Sequence, residues 1–235
     1  MIAAFQAWEA ERETLEEVER RIHDDVPVEN LRARACAYLD IMFSLFPWLK
    51  VSPAGTAVEV GPGVGYIMQE FLERRKVARL IGLDVASGMI RQAQQRMVRD
   101  GISPSAFEFR HYDGVTFPFT DGSVDFFYSV AAIQHVPKPF AYNIFQEITR
   151  CLKPTGFAVV QLLGWDHLPT HPQPWKIEIN QQISNEVGHW HHYYGRKELE
   201  IILEHGMSVP YYQVRQRGTF MWAAWCNSRD AIGQI

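Results

Sequence analysis

The sequence predicts an α/β protein built on a doubly wound, mostly parallel β-sheet. Between residues 56 and 163, short β-branched or apolar runs alternate with helical repeats, an order typical of βαβ units. The run at 124–130 is apolar or aromatic almost throughout, as expected of a strand that is buried on both faces. Two runs near the C-terminus flank a turn at Gly218 and predict an antiparallel hairpin at the end of the sheet.

Two helical patterns precede the first strand. Residues 1–24 are charged and rich in good helix formers, and Pro27 separates them from a second pattern at about 28–46. We expect residues 1–50 to form a helical extension that either covers the sheet or closes over its edge as a lid, with Trp8 and Tyr38. Residues 51–235 then form the main domain.

The elements of the main domain follow in a regular order. Strands are predicted at 56–60, 79–83, 107–112, 124–130 and 157–163. The helices between them are predicted at 66–76, 89–99 and 141–152. A helix at 196–205 and strands at 209–215 and 219–226 complete a sheet of seven strands. An insertion at about 164–195, rich in proline and histidine, lies at the edge where such sheets bind ligands.

Composition limits the class of protein. The chain has 235 residues, of which 47% are hydrophobic and 21% charged, as in one globular domain with a lobe. A net charge of −4 argues against a protein that grips nucleic-acid phosphates. Cys36, Cys151 and Cys226 are scattered, which predicts neither a disulfide framework nor a zinc site but a reducing, cytoplasmic compartment. The sequence shows neither a signal-peptide pattern nor an apolar run long enough to span a bilayer.

The strongest motif lies between the first predicted strand and the helix after it. It reads Glu59-Val60-Gly61-Pro62-Gly63-Val64-Gly65. Glycines let the backbone turn sharply and approach a ligand, and the first turn of the helix offers unpaired N–H groups. Asp84 ends the second strand, where an acid can accept hydrogen bonds from ribose hydroxyls. The pattern therefore predicts a nucleotide-containing ligand.

Other nucleotide loops fit this spacing less well. The nicotinamide and flavin fingerprint has a third glycine where this chain has Tyr66, so an NAD-dependent oxidoreductase is the weaker alternative. A phosphate-binding Walker loop needs a Gly-Lys-Ser/Thr sequence that does not follow here.

The glycine loop with Glu59 resembles the first motif of class I S-adenosylmethionine (SAM) dependent methyltransferases, in particular those of the type 11 group that act on small molecules. Further segments resemble this family in order and spacing, at 82–89, 113–114, 117–125, 134–137 and 152–156. Thr155 stands where a glycine is usual. The resemblance covers about residues 55–163 and implies a Rossmann-like sheet, with SAM as cofactor and S-adenosylhomocysteine as product.

The resemblance also implies roles for individual residues. Glu59 would hold the ammonium group of SAM, Asp84 its ribose, and Asp113 its adenine amino group. The cofactor-binding set implied in full is Glu59, Gly61, Gly63, Gly65, Tyr66, Asp84, Val85, Met89, Asp113, Gly114, Ser129 and Val130. Asp-Gly is also a common turn pair, so Asp113 could simply shape a turn.

His135 follows the fourth strand and is the candidate catalytic residue, either as a general base or by positioning. A purely structural histidine is the alternative, because methyl transfer often needs only positioning and desolvation. Aromatic and histidine residues of the last third are the candidate wall of an acceptor pocket, namely Trp165, His191, His192, Tyr193 and Trp222. We predict no metal there, since no carboxylate or thiol stands at a ligand spacing.

The acceptor is predicted to be a small molecule. The Asn/Asp-Pro-Pro-Tyr/Phe motif of DNA amino methylation is absent at 129–132, and no cysteine has the context of a cytosine methyltransferase. A hydroxyl group of a natural product, sugar or glycan end is the leading prediction. N-methylation remains open, as does a catalytically silent SAM-binding protein that acts through a partner. We expect a monomer or a homodimer.

Overall fold

The computed structural model describes residues 9, 13–22, 26–49, 51–52, 55–75, 77–165 and 191–232. The predicted lid residue Trp8 and most of the insertion at 164–195 lie outside these residues.

Six α-helices lie in the described ranges. They are α1 (Leu15–Ile22), α2 (Val28–Leu45), α3 (Tyr66–Arg74), α4 (Ser87–Arg99), α5 (Lys138–Cys151) and α6 (Arg196–Ile201). A π-helical turn, Ile202–Gly206, continues α6, and short 3₁₀ turns lie at Pro104–Ala106, Ile133–His135 and Arg229–Ala231. In this part of the chain, no helix combines the length and apolarity needed to cross a membrane.

Within the described residues, eight strands form one mixed sheet. They are β1 (Thr56–Val60), β2 (Arg79–Asp84), β3 (Phe107–His111), β4 (Val124–Ser129), β5 (Leu152–Gly164), β6 (Tyr193–Tyr194), β7 (Tyr211–Arg217) and β8 (Phe220–Cys226). Their order is β3-β2-β1-β4-β5-β8-β7, and β6 pairs with the end of β5. All pairs are parallel except those of β8 with β5 and β7. The predicted Rossmann-like sheet, mostly parallel with an antiparallel C-terminal hairpin, is confirmed.

Apolar side chains cover both faces of the sheet, as the uninterrupted strand patterns require. Val58 and Val60 of β1 face the layer of α5 and α6, whereas Ala57 faces the layer of α2 and α3. Trp222 of β8 lies in this second layer and is 1% exposed. Strand alternation turns its indole into the core and away from the cleft lining, so its place in an acceptor wall stays a prediction.

The helix α2 docks along α3 through ion pairs and an apolar seam. Nε of Arg32 lies 2.7 Å from Glu70 Oε1 and its NH2 group 2.7 Å from Glu73 Oε2. The NH1 group of Arg74 lies 2.6 Å from Asp40 Oδ1. Beneath these pairs, a small core joins α1 and α2 to the glycine loop and to α4, and its buried members are Val18, Leu31, Ala35, Val64, Tyr66, Ala86 and Met89. The helical extension is thereby held at the carboxyl edge of the sheet.

Candidate functional site

A cleft of about 200 Å³ opens at the carboxyl ends of β1, β2 and β4. The structure brings together there most of the residues that the sequence singles out: Glu59, Gly61, Gly63, Tyr66, Asp84, Val85, Met89, Val130, His135 and His191. Most of these residues come from the ends of β1, β2 and β4 and from the segments that follow them, and His191 comes from the segment before β6. The parallel sheet places them together because all its carboxyl ends share one edge.

The glycine loop is left-handed at each of its three glycines. The φ angles of Gly61, Gly63 and Gly65 are 70°, 54° and 87°, values that other residues adopt at a cost. The N–H of Gly61 donates to the Leu83 carbonyl at 2.9 Å, which ties the loop to β2. A Cβ atom on Gly61 would lie 2.4 Å from the Ala132 Cβ, so the loop needs glycine there for space as well as conformation. Gly65 precedes α3 and lies behind the cleft rather than in its lining.

Glu59 is a buried carboxyl group at the base of the cleft. It is 1% exposed, and its Oε2 atom has no hydrogen-bond partner among the described residues. Burial raises the pKa of Glu59 to about 8, against a small opposing effect of the Tyr128 hydroxyl. Tyr128 occupies the paired position of β4, but its hydroxyl does not meet hydrogen-bond geometry with Glu59. Such an orphaned carboxyl group fits a cationic ligand, which would repay its desolvation.

Asp84 ends β2 at the neighbouring position of the cleft. Its Oδ1 atom accepts the Ala86 N–H at 2.9 Å. Burial raises the pKa of Asp84 to about 6, opposed by the backbone N–H groups of Ala86 and Val85. The carboxylate of Glu9 contributes to the rise, because it sits at the start of α4 and accepts the Gly88 N–H. Asp84 is thus mostly ionised at neutral pH, and its position suits hydroxyl donors.

A buried arginine supports the glycine loop from behind. Arg96 of α4 is fully buried, and its Nε donates to the Val64 carbonyl at 2.5 Å. Its NH1 group donates to Gln69 Oε1 at 2.8 Å, and its guanidinium lies 4.1 Å from the centre of the Tyr66 ring. The Tyr66 hydroxyl in turn donates to Glu19 of α1 at 2.7 Å. Arg96 was not predicted, because an arginine in an amphipathic helix ordinarily indicates a solvent-exposed position.

Asp113 and Gly114 lie outside the cleft lining. Asp113 is exposed, and its Oδ1 accepts the N–H groups of Val115 at 2.8 Å and Thr116 at 2.7 Å. These backbone bonds lower the pKa of Asp113. The carboxylate therefore shapes the turn after β3 in this structure, and the buried ring of Tyr112 lines the cleft at this place. An adenine contact of Asp113 stays a prediction.

The turn after β4 is built to a fixed shape. Ser129 is buried and donates from Oγ to the Val60 carbonyl at 2.8 Å, below the cleft floor. Ala131 has a φ of 56°, and its N–H donates to Gln161 Oε1 at 2.8 Å. The turn then places Gln134 and His135 on the cleft lining. Strained backbone of this kind is common where a chain must present side chains to a ligand.

Two histidine rings meet at one end of the cleft. The rings of His135 and His191 lie 4.7 Å apart at an angle of 56°. Beside them, Gln134 is 5% exposed and its Oε1 atom has no partner in the described ranges.

The other predicted acceptor residues stand behind this end. His192 donates its backbone N–H to the Gln134 carbonyl at 2.8 Å, and the Trp165 and Tyr193 rings lie 5.6 Å apart. None of His192, Trp165 and Tyr193 is part of the cleft lining.

One side of the cleft comes from α2. Leu31, Arg34, Ala35 and Tyr38 line it, and they follow the i, i+3, i+4, i+7 spacing of one helical face. Tyr38 was expected in a lid, and the spacing could have identified the other three. The Nε atom of Arg34 donates to the Tyr38 hydroxyl at 3.2 Å.

Comparison with known proteins agrees with this architecture. Residues 58–160 match the family described as the methyltransferase domain. The chain is 33% identical over 143 residues to the biotin biosynthesis bifunctional protein BioHC of Cellvibrio japonicus, a match that covers 61% of this chain and 25% of that protein. It is 27% identical over 155 residues to the malonyl-[acyl-carrier protein] O-methyltransferase of a Marinomonas species, covering 63% and 54%. The matches thus span about a quarter and about half of these relatives.

A solved structure shares the fold. The SAM-dependent methyltransferase of Methanosarcina mazei superposes with a TM-score of 0.60, covering 76% of this chain and 95% of that one at 22% sequence identity. At this identity, the likeness is one of fold.

Proposed function

We propose that this protein, whose residues 58–160 match the methyltransferase-domain family, is a class I, SAM-dependent methyltransferase that transfers the methyl group of SAM to a small-molecule acceptor. The observation that carries the proposal is the pair of buried carboxyl groups, Glu59 and Asp84, on either side of the left-handed glycine loop. When bound, SAM supplies a methyl group activated by a positive sulfonium. A nucleophilic oxygen or nitrogen of the acceptor takes that methyl group.

The residues of the cleft fit the parts of SAM. Glu59 would hold the ammonium group through its unpartnered oxygen. The unpaired N–H groups in the first turn of α3, which begins at Tyr66 directly after Gly65, would donate hydrogen bonds to the carboxylate of the amino-acid portion. Asp84 would accept the ribose hydroxyls, and Val85 and Met89 would contact the adenine.

The remaining members of the predicted set would act nearby. Gly114 and Asp113 would meet the adenine edge, while Ser129 and Val130 would support the wall near the methyl group. We assign His135, with His191 beside it, to the acceptor end, where it would act as a general base or position the nucleophile. The face of α2 would exclude water, as a lid formed by residues 1–50 over the domain at 51–235.

An oxygen acceptor remains our leading choice within this proposal. One relative is named as an O-methyltransferase of malonyl-[acyl-carrier protein], which agrees with an oxygen acceptor, and another of the same sequence identity is named as a phosphoethanolamine N-methyltransferase, so nitrogen stays the alternative. A hydroxyl of a natural product or sugar fits the same chemistry. We further propose a cytoplasmic protein, monomeric or homodimeric, in keeping with its three free cysteines.

The test is a calorimetric titration with S-adenosylhomocysteine. We expect the unaltered protein to bind it, and Asp84→Ala to weaken binding by about 1–3 kcal/mol, the scale for losing a charge-assisted hydrogen bond. Asp121→Ala is the matched control, since its carboxylate faces solvent outside the cleft, and it should retain the affinity. Binding of NADH instead would contradict the proposal. Bound cofactor with no S-adenosylhomocysteine formed from SAM across an acceptor panel would favour the silent SAM-binding alternative.

A further inference from the structure

A cation that has no acidic partner among the described residues lines the cleft. Arg34 of α2 is partly buried, and among the described residues its one polar contact is the Tyr38 hydroxyl, 3.2 Å from Nε. The other arginines of this surface behave differently. Arg32 is paired with Glu70 and Glu73 outside the cleft.

The acids of the cleft do not neutralise Arg34. Glu59 and Asp84 line the same cleft, but neither forms an ion pair with Arg34 in the described part of the chain. A guanidinium that is partly withdrawn from water and holds only a neutral hydroxyl retains donors for an oxyanion. Arg34 therefore has the chemistry of a binding group rather than of a structural ion pair.

The polar contact of the Arg34 side chain runs along α2, to Tyr38 one helical turn further on, and not to the glycine loop. Leu31 and Ala35 pack with Met89 in the small core beside the loop. The Arg34 guanidinium instead extends along α2 toward Tyr38, whose ring lies 6.2 Å from that of Phe220 at the start of β8. The carboxylate of SAM already has donors in the first turn of α3, so Arg34 is available to a second ligand.

We propose that the methyl acceptor carries a carboxylate group and that Arg34 binds it, with the Tyr38 hydroxyl as a second donor. This inference rests on the proposed function. A carboxylate matches the two parallel donors of one guanidinium. A phosphate dianion fits less well, because Arg34 is the one arginine or lysine among the described residues that line the cleft. The apolar lining at Val136 and Ile144 would contact the rest of the acceptor. The side-chain oxygen of Gln134, Oε1, would accept a hydrogen bond from it.

The experiment compares an acid with its neutral amide on protein saturated with S-adenosylhomocysteine. Octanoate and octanamide are titrated calorimetrically, with phenyl phosphate as the phosphate arm. We expect octanoate to bind, octanamide and phenyl phosphate to bind at least tenfold more weakly, and Arg34→Gln to weaken octanoate binding by roughly 10–100-fold. Arg32→Gln is the matched control on the same helix, because its guanidinium is paired outside the cleft, and it should bind octanoate as the unaltered protein does.

A second titration, with cofactor analogues, distinguishes whether Arg34 binds the carboxylate of the acceptor or the carboxylate of the cofactor. S-adenosylhomocysteine carries a carboxylate and 5′-methylthioadenosine does not, and we expect Arg34→Gln to bind both as the unaltered protein does. Loss of affinity for the first ligand alone would assign Arg34 to the cofactor and overturn the inference. Equal binding of octanoate and octanamide, or no octanoate binding, would overturn it while the proposed function stands. Failure of the unaltered protein to bind S-adenosylhomocysteine would overturn both.

Discussion

Glu59 and Asp84 face the same cleft but differ in ionisation. Burial raises the pKa of Glu59 to about 8 and that of Asp84 to about 6. At neutral pH, Glu59 is therefore mostly protonated and Asp84 mostly ionised. A ligand ammonium beside Glu59 would favour the ionised form and return the pKa of Glu59 toward its usual range.

Binding of S-adenosylhomocysteine should release a proton from Glu59. At pH 7 we expect roughly one proton per ligand bound, because Glu59 passes from mostly neutral to ionised. Calorimetry in phosphate and in Tris measures this release, since the two buffers differ in ionisation enthalpy. Glu59→Gln should bind more weakly and show no buffer dependence from this source. A buffer-independent enthalpy in the unaltered protein would mean that Glu59 does not meet the ammonium.

Asp84 should lower the stability of the ligand-free protein at neutral pH. Its pKa is raised from near 4 to about 6 in the folded state, so its favourable contribution is complete below pH 4 and is lost as the pH rises through 6. The loss amounts to about 3 kcal/mol. Asp84→Asn should therefore raise the Tm by several degrees at pH 7.5, with a gain that shrinks toward pH 5.

Asp113→Asn is the matched control for this effect. Backbone N–H groups lower the pKa of Asp113, so its ionised form is favoured by folding and its stabilisation is present at neutral pH. The substitution should lower the Tm at pH 7.5. Equal falls in Tm for the two variants would show that burial does not govern Asp84.

The sequence predicts the site residues whose position depends only on the neighbouring segments of the chain. Glu59, the three glycines and Asp84 stand at fixed offsets from strand ends, and strand ends can be recognised from composition. Arg34 and Arg96 escape prediction because their roles depend on which face of a helix meets the loop. The burial of Trp222 escapes prediction for the same reason, since both faces of β8 are apolar and composition does not reveal which layer each face meets.

At the scale of elements, all seven predicted strands are present, but their bounds agree unequally: β5 begins at Leu152 instead of residue 157, and β7 lies two residues later than predicted. The bounds of β1 agree with the prediction, and those of β2 differ by one residue. The two-residue strand β6 is too short for any periodicity, and it forms only because β5 extends beyond β4 and leaves an edge. The π-helical turn after α6 was expected to be regular helix.

The glycine loop depends on packing against the turn after β4. Gly61→Ala would add both left-handed strain and an overlap with the Ala132 Cβ. We expect it to destabilise the protein by about 2–5 kcal/mol, from about 1–2 for the backbone and 1–3 for overpacking. Chemical denaturation measures the loss, and S-adenosylhomocysteine binding should weaken with it.

Two variants separate the causes of this loss. Gly122→Ala has a similar φ of 61° with nothing within 4 Å of the added Cβ, so it should show only the backbone cost. The double variant Gly61→Ala/Ala132→Gly lacks the overlapping Cβ atom of residue 132. Compared with Ala132→Gly alone, it should lose only the backbone part of the unfolding free energy and not the overpacking part. If Gly61→Ala lowers the free energy of unfolding no more than Gly122→Ala does, the turn after β4 moves aside without cost and does not constrain the glycine loop.

For the whole molecule, the N-terminal segment binds the same elements that would bind the cofactor. Glu19 accepts from Tyr66 at the start of α3, and the Glu13 carbonyl accepts from Gln92 of α4 at 2.7 Å. Glu9 accepts from the backbone at the start of α4. The donors in these contacts are cleft residues or their near neighbours in sequence: Tyr66 lines the cleft, and Gly88 and Gln92 lie close to Met89, which also lines it. Ligand binding and docking of the helical extension should therefore stabilise each other.

This coupling predicts that S-adenosylhomocysteine slows amide exchange in α2 as well as in the glycine loop. The cleft face of α2 should be protected because a ligand between it and the sheet adds contacts to both, and local opening of α2 would then require ligand release. Hydrogen exchange read by mass spectrometry measures this protection, with the edge strand β7 as the segment expected not to change. In Tyr66→Phe, which loses the hydroxyl bond to Glu19, α1 should exchange faster while α2 keeps its ligand-dependent protection. Protection of the loop without any change in α2 would show that the helix stands beside the ligand and does not cover it.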